Sequence, residues 1–342
     1  MSEFRIDQIK SQDATRGPDV AGITTFTGTS GIVMPSGDTA YRGGRGRGII
    51  MGGYTGPSPN TGMNNIDYVT IATTGNGTDF GDLTKVVHSH GVCASDIRGF
   101  RGGGATPTTQ EDIDYINIAS TGNAFAFGNL TRGLYQGSAL SNRTRGIFYA
   151  SAGTPTGVHY LEYINLSSNG QNAVKFGDIT SYPPNKPRQN MGACASPTRG
   201  IFAGGGFPSV YNIIEYVTIN TLGNSQDFGD MTHAARSVQG VSSSTRGVFV
   251  TSGPPSSINV TNYITITSTG NAQEFGDCSN GGGQSSGMSN SIRGVFQNLV
   301  PGVTMEYVTI ATTGNTTDFG DLSFATTTGT SEGCSDSHGG IG

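Results

Sequence analysis

The chain has 342 residues, only 34% of them apolar and 13% charged, with 55 glycines and a net charge of −5. Such a balance offers no basic field for nucleic acid, since lysine is confined to Lys10, Lys85, Lys175 and Lys186. Low charge argues against a disordered polyelectrolyte, and no apolar run approaches membrane-spanning length.

Residues 1–46 come first and contain no repeat. They read as a short strand, Gly/Pro-rich turns and a hairpin around Thr24–Met34, then a flexible Arg/Gly approach, Arg42–Arg47. The opening MSEFRIDQIKSQD lacks the apolar core of an export signal. Ile23, Phe26, Ile32 and Val33 are apolar side chains that need cover.

From Arg47 onward one theme returns every 44–54 residues or so, a period that signals stacked supersecondary units. Arg-Gly occurs at Arg47, Arg98, Arg145, Arg199, Arg246 and Arg293, and Phe-Gly-Asp/Asn follows at Phe80, Phe127, Phe176, Phe228, Phe275 and Phe319. The fourth unit reads as four strands: A (Met191–Ser196), B (Arg199–Gly206), C (Ile213–Asn220) and D (Gln226–Thr232). Strand C recurs as Ile66–Ile71, Ile113–Ile118, Leu161–Leu166, Ile214–Ile219, Tyr263–Ile266 and Met305–Ile310, rich in β-branched and aromatic residues. Apolar residues on both of its faces predict sheets covered on both sides, as in radially stacked blades. Strand A carries small residues suited to a crowded axis, and Thr-Gly-Asn between C and D suggests a tight hairpin. The repeated Arg and the Phe-Gly-Asp aspartate could pair within or between blades, an exposed clasp worth little.

Cys93, Cys194 and Cys334 share one place in the repeat, where Leu140, Val241 and Met288 stand in other units, and Cys278 follows Phe-Gly-Asp. The exchange for apolar residues predicts reduced, buried, structural thiols. The first unit lacks a strand A, and Gly333-Cys334-Ser335-Asp336 is a strand A without a following B. The ends therefore complement each other, predicting a ring of six blades closed by the C-terminal strand, with no exposed inner edge. The expected organisation is an arm over 1–46 and an all-β, six-bladed propeller over 47–342.

The units resemble kelch-type propellers in a glycine pair after strand B (Gly52-Gly53, Gly102-Gly103, Gly204-Gly205), although the usual Trp is absent. More closely, Thr-Arg-Gly-Ile-Phe-Ala-Gly-Gly (198–205), Ile-Glu-Tyr-Val-Thr-Ile (214–219) and Asp-Phe-Gly-Asp (227–230) resemble repeat arrays in virion proteins of marine tailed bacteriophages, over residues 47–342. That resemblance implies a non-enzymatic virion structural protein, a tail or fibre component found in the particle after synthesis in the host cytoplasm. Its implied partners are other virion proteins and a host-surface glycan or protein, with homo-oligomerisation in the particle, no membrane insertion and no cofactor. The opening segment resembles the docking arm of phage fibre subunits, which assigns Ile23, Phe26, Ile32 and Val33 to docking. Head decoration, or a lectin-like binding module outside a virion, are the alternatives.

The Asp-Phe-Gly triplets at Asp79, Asp227 and Asp318 spell a kinase metal motif without any other kinase element. Their recurrence reads instead as Phe in the core and Gly-Asp in a turn. Five histidines form no HExxH pattern, and no metal site is expected, although His88 and His90 could share a strand face. The B–C and D–A connections vary while the A–B and C–D turns do not, so specificity is expected on the variable rim. Its candidate residues are His159, Tyr160, Tyr182, Lys186, Arg188, Phe207 and Tyr211, aromatics with an occasional cation.

Overall fold

A computed structural model of the chain describes residues 46–55, 61–151, 159–180, 188–206, 209–251, 259–279, 284–298, 302–326 and 331–342. The chain divides into a unit over Met1–Tyr41 and a unit over Arg42–Gly342. The docking residues Ile23, Phe26, Ile32 and Val33 lie outside the described residues, as do Tyr182, Lys186 and Phe207.

The second unit is a six-bladed β-propeller: six antiparallel sheets of four strands each, in a closed ring. Blade 4 runs Gly192–Ala195, Arg199–Ala203, Tyr211–Thr218 and Gln226–Ala235 from the axis outward. Each innermost strand touches the next around the axis. Blade 1 takes its strand A from the far end of the chain. Glu332–Ser335 pairs antiparallel with strand B (Arg47–Thr55), Gly48 opposite Ser335 and Met51 opposite Glu332. Asp336 then receives the Arg47 amide on Oδ1 at 3.0 Å. Ser196 does the same for Arg199, so the closing end reproduces an A–B turn whose chain is interrupted.

The apolar cores lie between blades, which is why strand C is apolar on both faces. One of them joins Ile49, Met51, Ile66 and Phe80 of blade 1 to Ile116 and Ile118 of blade 2. The Arg-Gly glycine is required here by close approach. A Cβ on Gly146 would stand 2.7 Å from Cys93 Sγ, one on Gly200 2.5 Å from Leu140 Cδ1, and one on Gly294 2.5 Å from Val241 Cγ2. All four cysteines are buried and reduced. Burial pushes the Cys194 thiol up to about 12 and raises Cys93 and Cys334 as well.

Three side-chain clasps repeat at the blade junctions. First, each Arg of Arg-Gly lies over the strand C tyrosine of its own blade, as Arg199 over Tyr216 at 4.6 Å, and donates to a carbonyl of the following blade, as Arg199 Nη1 to Ile266 O at 3.0 Å. Arg47, Arg98, Arg145, Arg246 and Arg293 do likewise. A carbonyl acceptor and a π face thus take the place considered for the Phe-Gly-Asp aspartate. Second, the Asn of the C–D turn accepts the Asp amide of the preceding blade, as Asn224 Oδ1 from Asp178 at 3.0 Å.

Third, the middle of strand C holds a buried acid or amide in every blade: Asp67, Asp114, Glu162, Glu215, Asn262 and Glu306. Each binds the Ser/Thr two places after Phe-Gly-Asp/Asn in the preceding blade, as Ser323 to Asp67 and Thr84 to Asp114. A buried carboxylate requires such partners. Burial raises the Asp67 carboxyl although Ser323 acts to lower it.

Phe-Gly-Asp lies in strand D as expected, but its Gly-Asp continues the strand rather than turning. The register of C against D shifts at its Phe in all six blades, so Phe is a bulge. Nor is the C–D connection a tight hairpin, since it runs along the preceding blade, with Gly223 N donating to Phe176 O and Ser225 N to Asp178 O. The glycine beside the bulge makes that approach possible. A Cβ on Gly177 would sit 2.0 Å from Gly223 O. Gly177→Ala is thus expected to separate blades 3 and 4 locally and to cost more than about 2 kcal/mol of unfolding free energy in denaturant titration. An unchanged midpoint would show the junction to be looser than this geometry.

The glycines that release strand B are Gly52-Gly53, Gly103-Gly104 and Gly204-Gly205, at φ from +58° to +124°. In blade 2 the pair is one residue later than the sequence alignment places it.

Candidate functional site

The variable rim was the expected location of specificity, and the described residues place its candidates as follows. Tyr160 is buried, its hydroxyl 2.6 Å from Thr131 Oγ1, with the Arg132 guanidinium 5.2 Å from its ring. Arg188 is 1% exposed and is no rim cation. Its guanidinium pairs with Glu215, which is itself buried, and donates to Ile213 O at 3.0 Å. Burial lowers the Arg188 titration and Glu215 opposes that shift. These two residues are therefore corrected from ligand-facing to structural, because a lone cation next to a buried strand C acid is drawn inward. Tyr211 is half-buried at the start of strand C, and His159 opens strand C of blade 3. Among the described candidates, Tyr160 and Arg188 are thus engaged in packing and pairing within the fold.

Blade 2 repeats the Arg188 solution by another route. Arg101 occupies the strand B place of Phe148, Phe202, Phe249 and Phe296, is fully buried, and reaches both Asp112 and Asp114. Burial acts to raise Asp112, but Arg101 and Lys85 outweigh it and hold the carboxyl below its ordinary value.

The densest aromatic group among the described residues on this rim was not anticipated. His88 stacks on Tyr54 with ring centres 3.8 Å apart, and the Tyr135 ring stands edge-on to it at 6.1 Å. These residues come from the B–C side of blade 1 and the D–A connections of blades 1 and 2. Shared rim position was the signal available in the sequence. His88 and His90 do not share a strand face, because Ser89 between them adopts φ 56°. His90 is fully buried. Among the described residues no group of three or more His, Cys, Asp or Glu is placed to hold a metal.

The axis forms a narrow channel of about 60 Å³, walled by the six A strands. Residues after the closing strand cover its A–B end. There His338 Nε2 lies 3.0 Å from Ala94 O and 3.3 Å from Ser141 Oγ, Gly339 N donates to Ser242 O, and Arg143 donates to Ile341 O. Glu332 and Gln239 hydrogen-bond near the other end, and burial raises the Glu332 carboxyl well above its ordinary value.

Comparison with known proteins finds no protein-family model that matches the chain and no similar curated protein.

Proposed function

We propose that the chain is a non-enzymatic structural protein of a tailed-phage particle, a tail or fibre component whose propeller makes assembly contacts and meets the host surface. The observation that carries this reading is the resemblance of the repeated phrases at 198–205, 214–219 and 227–230 to virion repeat arrays, sustained over residues 47–342. The use of the charged groups supports it. The six repeated arginines and the five strand C carboxylates are engaged between blades, where they serve cohesion rather than chemistry. A ring without an open inner edge, clasped three ways at its junctions, suits a part that must persist outside a cell.

Mass spectrometry of purified particles tests the proposal, with peptides of this chain expected at structural-protein abundance. Particles that lack it would overturn the structural reading. Labelling the propeller and imaging the particle would assign tail, fibre or head.

A further inference from the structure

The C–D connections form the uniform part of the ring, yet their geometry leaves space that nothing in the fold requires. In five blades the segment from the strand C isoleucine to the strand D phenylalanine has one length: 71–80, 118–127, 219–228, 266–275 and 310–319. Blade 3 carries one more residue, over 166–176. The five matching turns place Gly75, Gly122, Gly223, Gly270 and Gly314 at φ +152° to +159°, and a Cβ added at any of them would meet nothing within 4 Å. The contrast with Gly177, pressed against a neighbouring carbonyl, is direct.

In blade 1 this space is a concavity of about 200 Å³ lined by Tyr68, Thr70, Thr73, Thr74, Asn76 and Thr78. In blade 4 the same positions, Tyr216, Thr218, Thr221, Leu222, Asn224 and Gln226, line one of about 160 Å³. Both linings hold hydroxyls and one aromatic ring, with one amide in blade 1 and two in blade 4, and no charged side chain. Some of their polar groups are held in place. Asn76 Oδ1 accepts the Asp321 amide at 3.1 Å, and Tyr216 donates to Gln226 Oε1 at 2.5 Å. Arg47 and Arg199 hold the two tyrosine rings by their π faces. In blade 2 the Gln226 position is Phe125, 56% exposed and tilted against Tyr115 at 5.6 Å, which adds an open aromatic surface at the lip.

We propose that these turns are a repeated binding site for neutral glycans, presented on the A–B/C–D face of the ring. Preset donors and acceptors beside an aromatic ring match the hydroxyls and apolar face of a pyranose. The cations beside these concavities, Arg47 and Arg199, are already engaged on the tyrosine rings and on carbonyls of the next blade, which disfavours sialylated or sulfated sugars. Each concavity is smaller than the ~300–1,000 Å³ of drug-sized sites, so one turn binds weakly. Several copies on one face gain about 10²–10⁴ through avidity on a dense glycan surface. Recognition then comes from the part that repeats, and it does not depend on the virion reading: mass spectrometry of particles tests location, and sugar binding tests the turns.

The experiment uses the full chain on an array of polyvalently displayed hexose- and N-acetylhexosamine-terminated glycans, with sialylated and sulfated glycans as controls. The quintuple variant Thr73→Gln, Ser120→Gln, Thr221→Gln, Ser268→Gln, Thr312→Gln fills the concavities from exposed positions without changing charge. The wild type is expected to bind a neutral glycan. Thr221→Gln alone should weaken binding by less than about ten-fold, and the quintuple variant by at least about a hundred-fold, as loss of multivalency requires, with an unchanged melting temperature. Failure of the wild type to bind any neutral glycan overturns the proposal, and so does a folded quintuple variant that binds as well as the wild type.

Discussion

Removal of residues 332–342 is expected to leave a chain that does not fold cooperatively and accumulates as aggregate. The segment supplies the innermost strand of blade 1, and with it Cys334, Ser335 and the Asp336 acceptor for Arg47. Its loss uncovers Ile49 and Met51, both 1% exposed or less, and leaves Gly99 without the sulfur packed beside it. The tail beyond it is also tied to Ala94, Ser141 and Ser242, which belong to blades 2, 3 and 5. At ~2 kcal/mol for each large apolar side chain uncovered or removed, plus the lost strand bonds, the deletion approaches the whole ~5–15 kcal/mol of a typical domain. It also exposes an unpaired inner edge, a template for association.

A permutant should restore the closure. Placing 331–336 ahead of Arg47 through a two-residue linker, the spacing of Ser196 to Arg199, should return a soluble protein with a single cooperative transition. A truncated chain that melts cooperatively within a few degrees of the full chain would show that the ring does not depend on this closure.

The ring was legible because its evidence is redundant. Six returns of Arg-Gly and Phe-Gly-Asp fix the unit, and one orphaned strand A at Gly333–Asp336 fixes how the ends meet. What stayed hidden is the relation of each blade to its neighbour. Nothing local says that Arg199 reaches Ile266, or that Gly177 must admit Gly223, since these contacts join residues from adjacent units. One junction was readable. An acid or amide stands inside the apolar strand C of every unit, and a charge fixed there demands a partner, which the recurrent Ser/Thr after Phe-Gly-Asp supplies. Arg188 was misplaced for a related reason. It stands in a D–A connection where other units carry Val87, Leu134 and Ala235, so the repeat gave no sign that Glu215 would be its partner. The concavities beside Tyr68 and Tyr216 were not read from the sequence, because they lie at positions that repeat.

Acid should weaken this propeller well above the range in which ordinary carboxylates titrate. Burial lowers the titration of His88 from 6.5 to about 4, and that of His90 to about 3 with help from the Arg101 and His88 charges. His90 has no hydrogen-bond partner for either ring nitrogen among the described residues. The Met51 backbone approaches it without meeting that geometry. Both histidines are held neutral in the fold and free to charge when unfolded. Their contribution is therefore complete above pH 6.5 and is lost as pH falls toward the folded values. At pH 5 each withdraws about 2 kcal/mol, from 1.36 kcal/mol per unit over the interval below 6.5. His338 shifts in the same direction through burial, and Asp112, held low, titrates only below this window. The melting temperature of the wild type should fall markedly between pH 7 and pH 5. His88→Phe with His90→Leu, which keeps the stack on Tyr54 and the apolar fill beside Gly52 and Gly104, should remove most of that fall while leaving the pH 7 value nearly unchanged. Parallel melting curves for the two proteins across this range would show that neither histidine is held neutral in the fold.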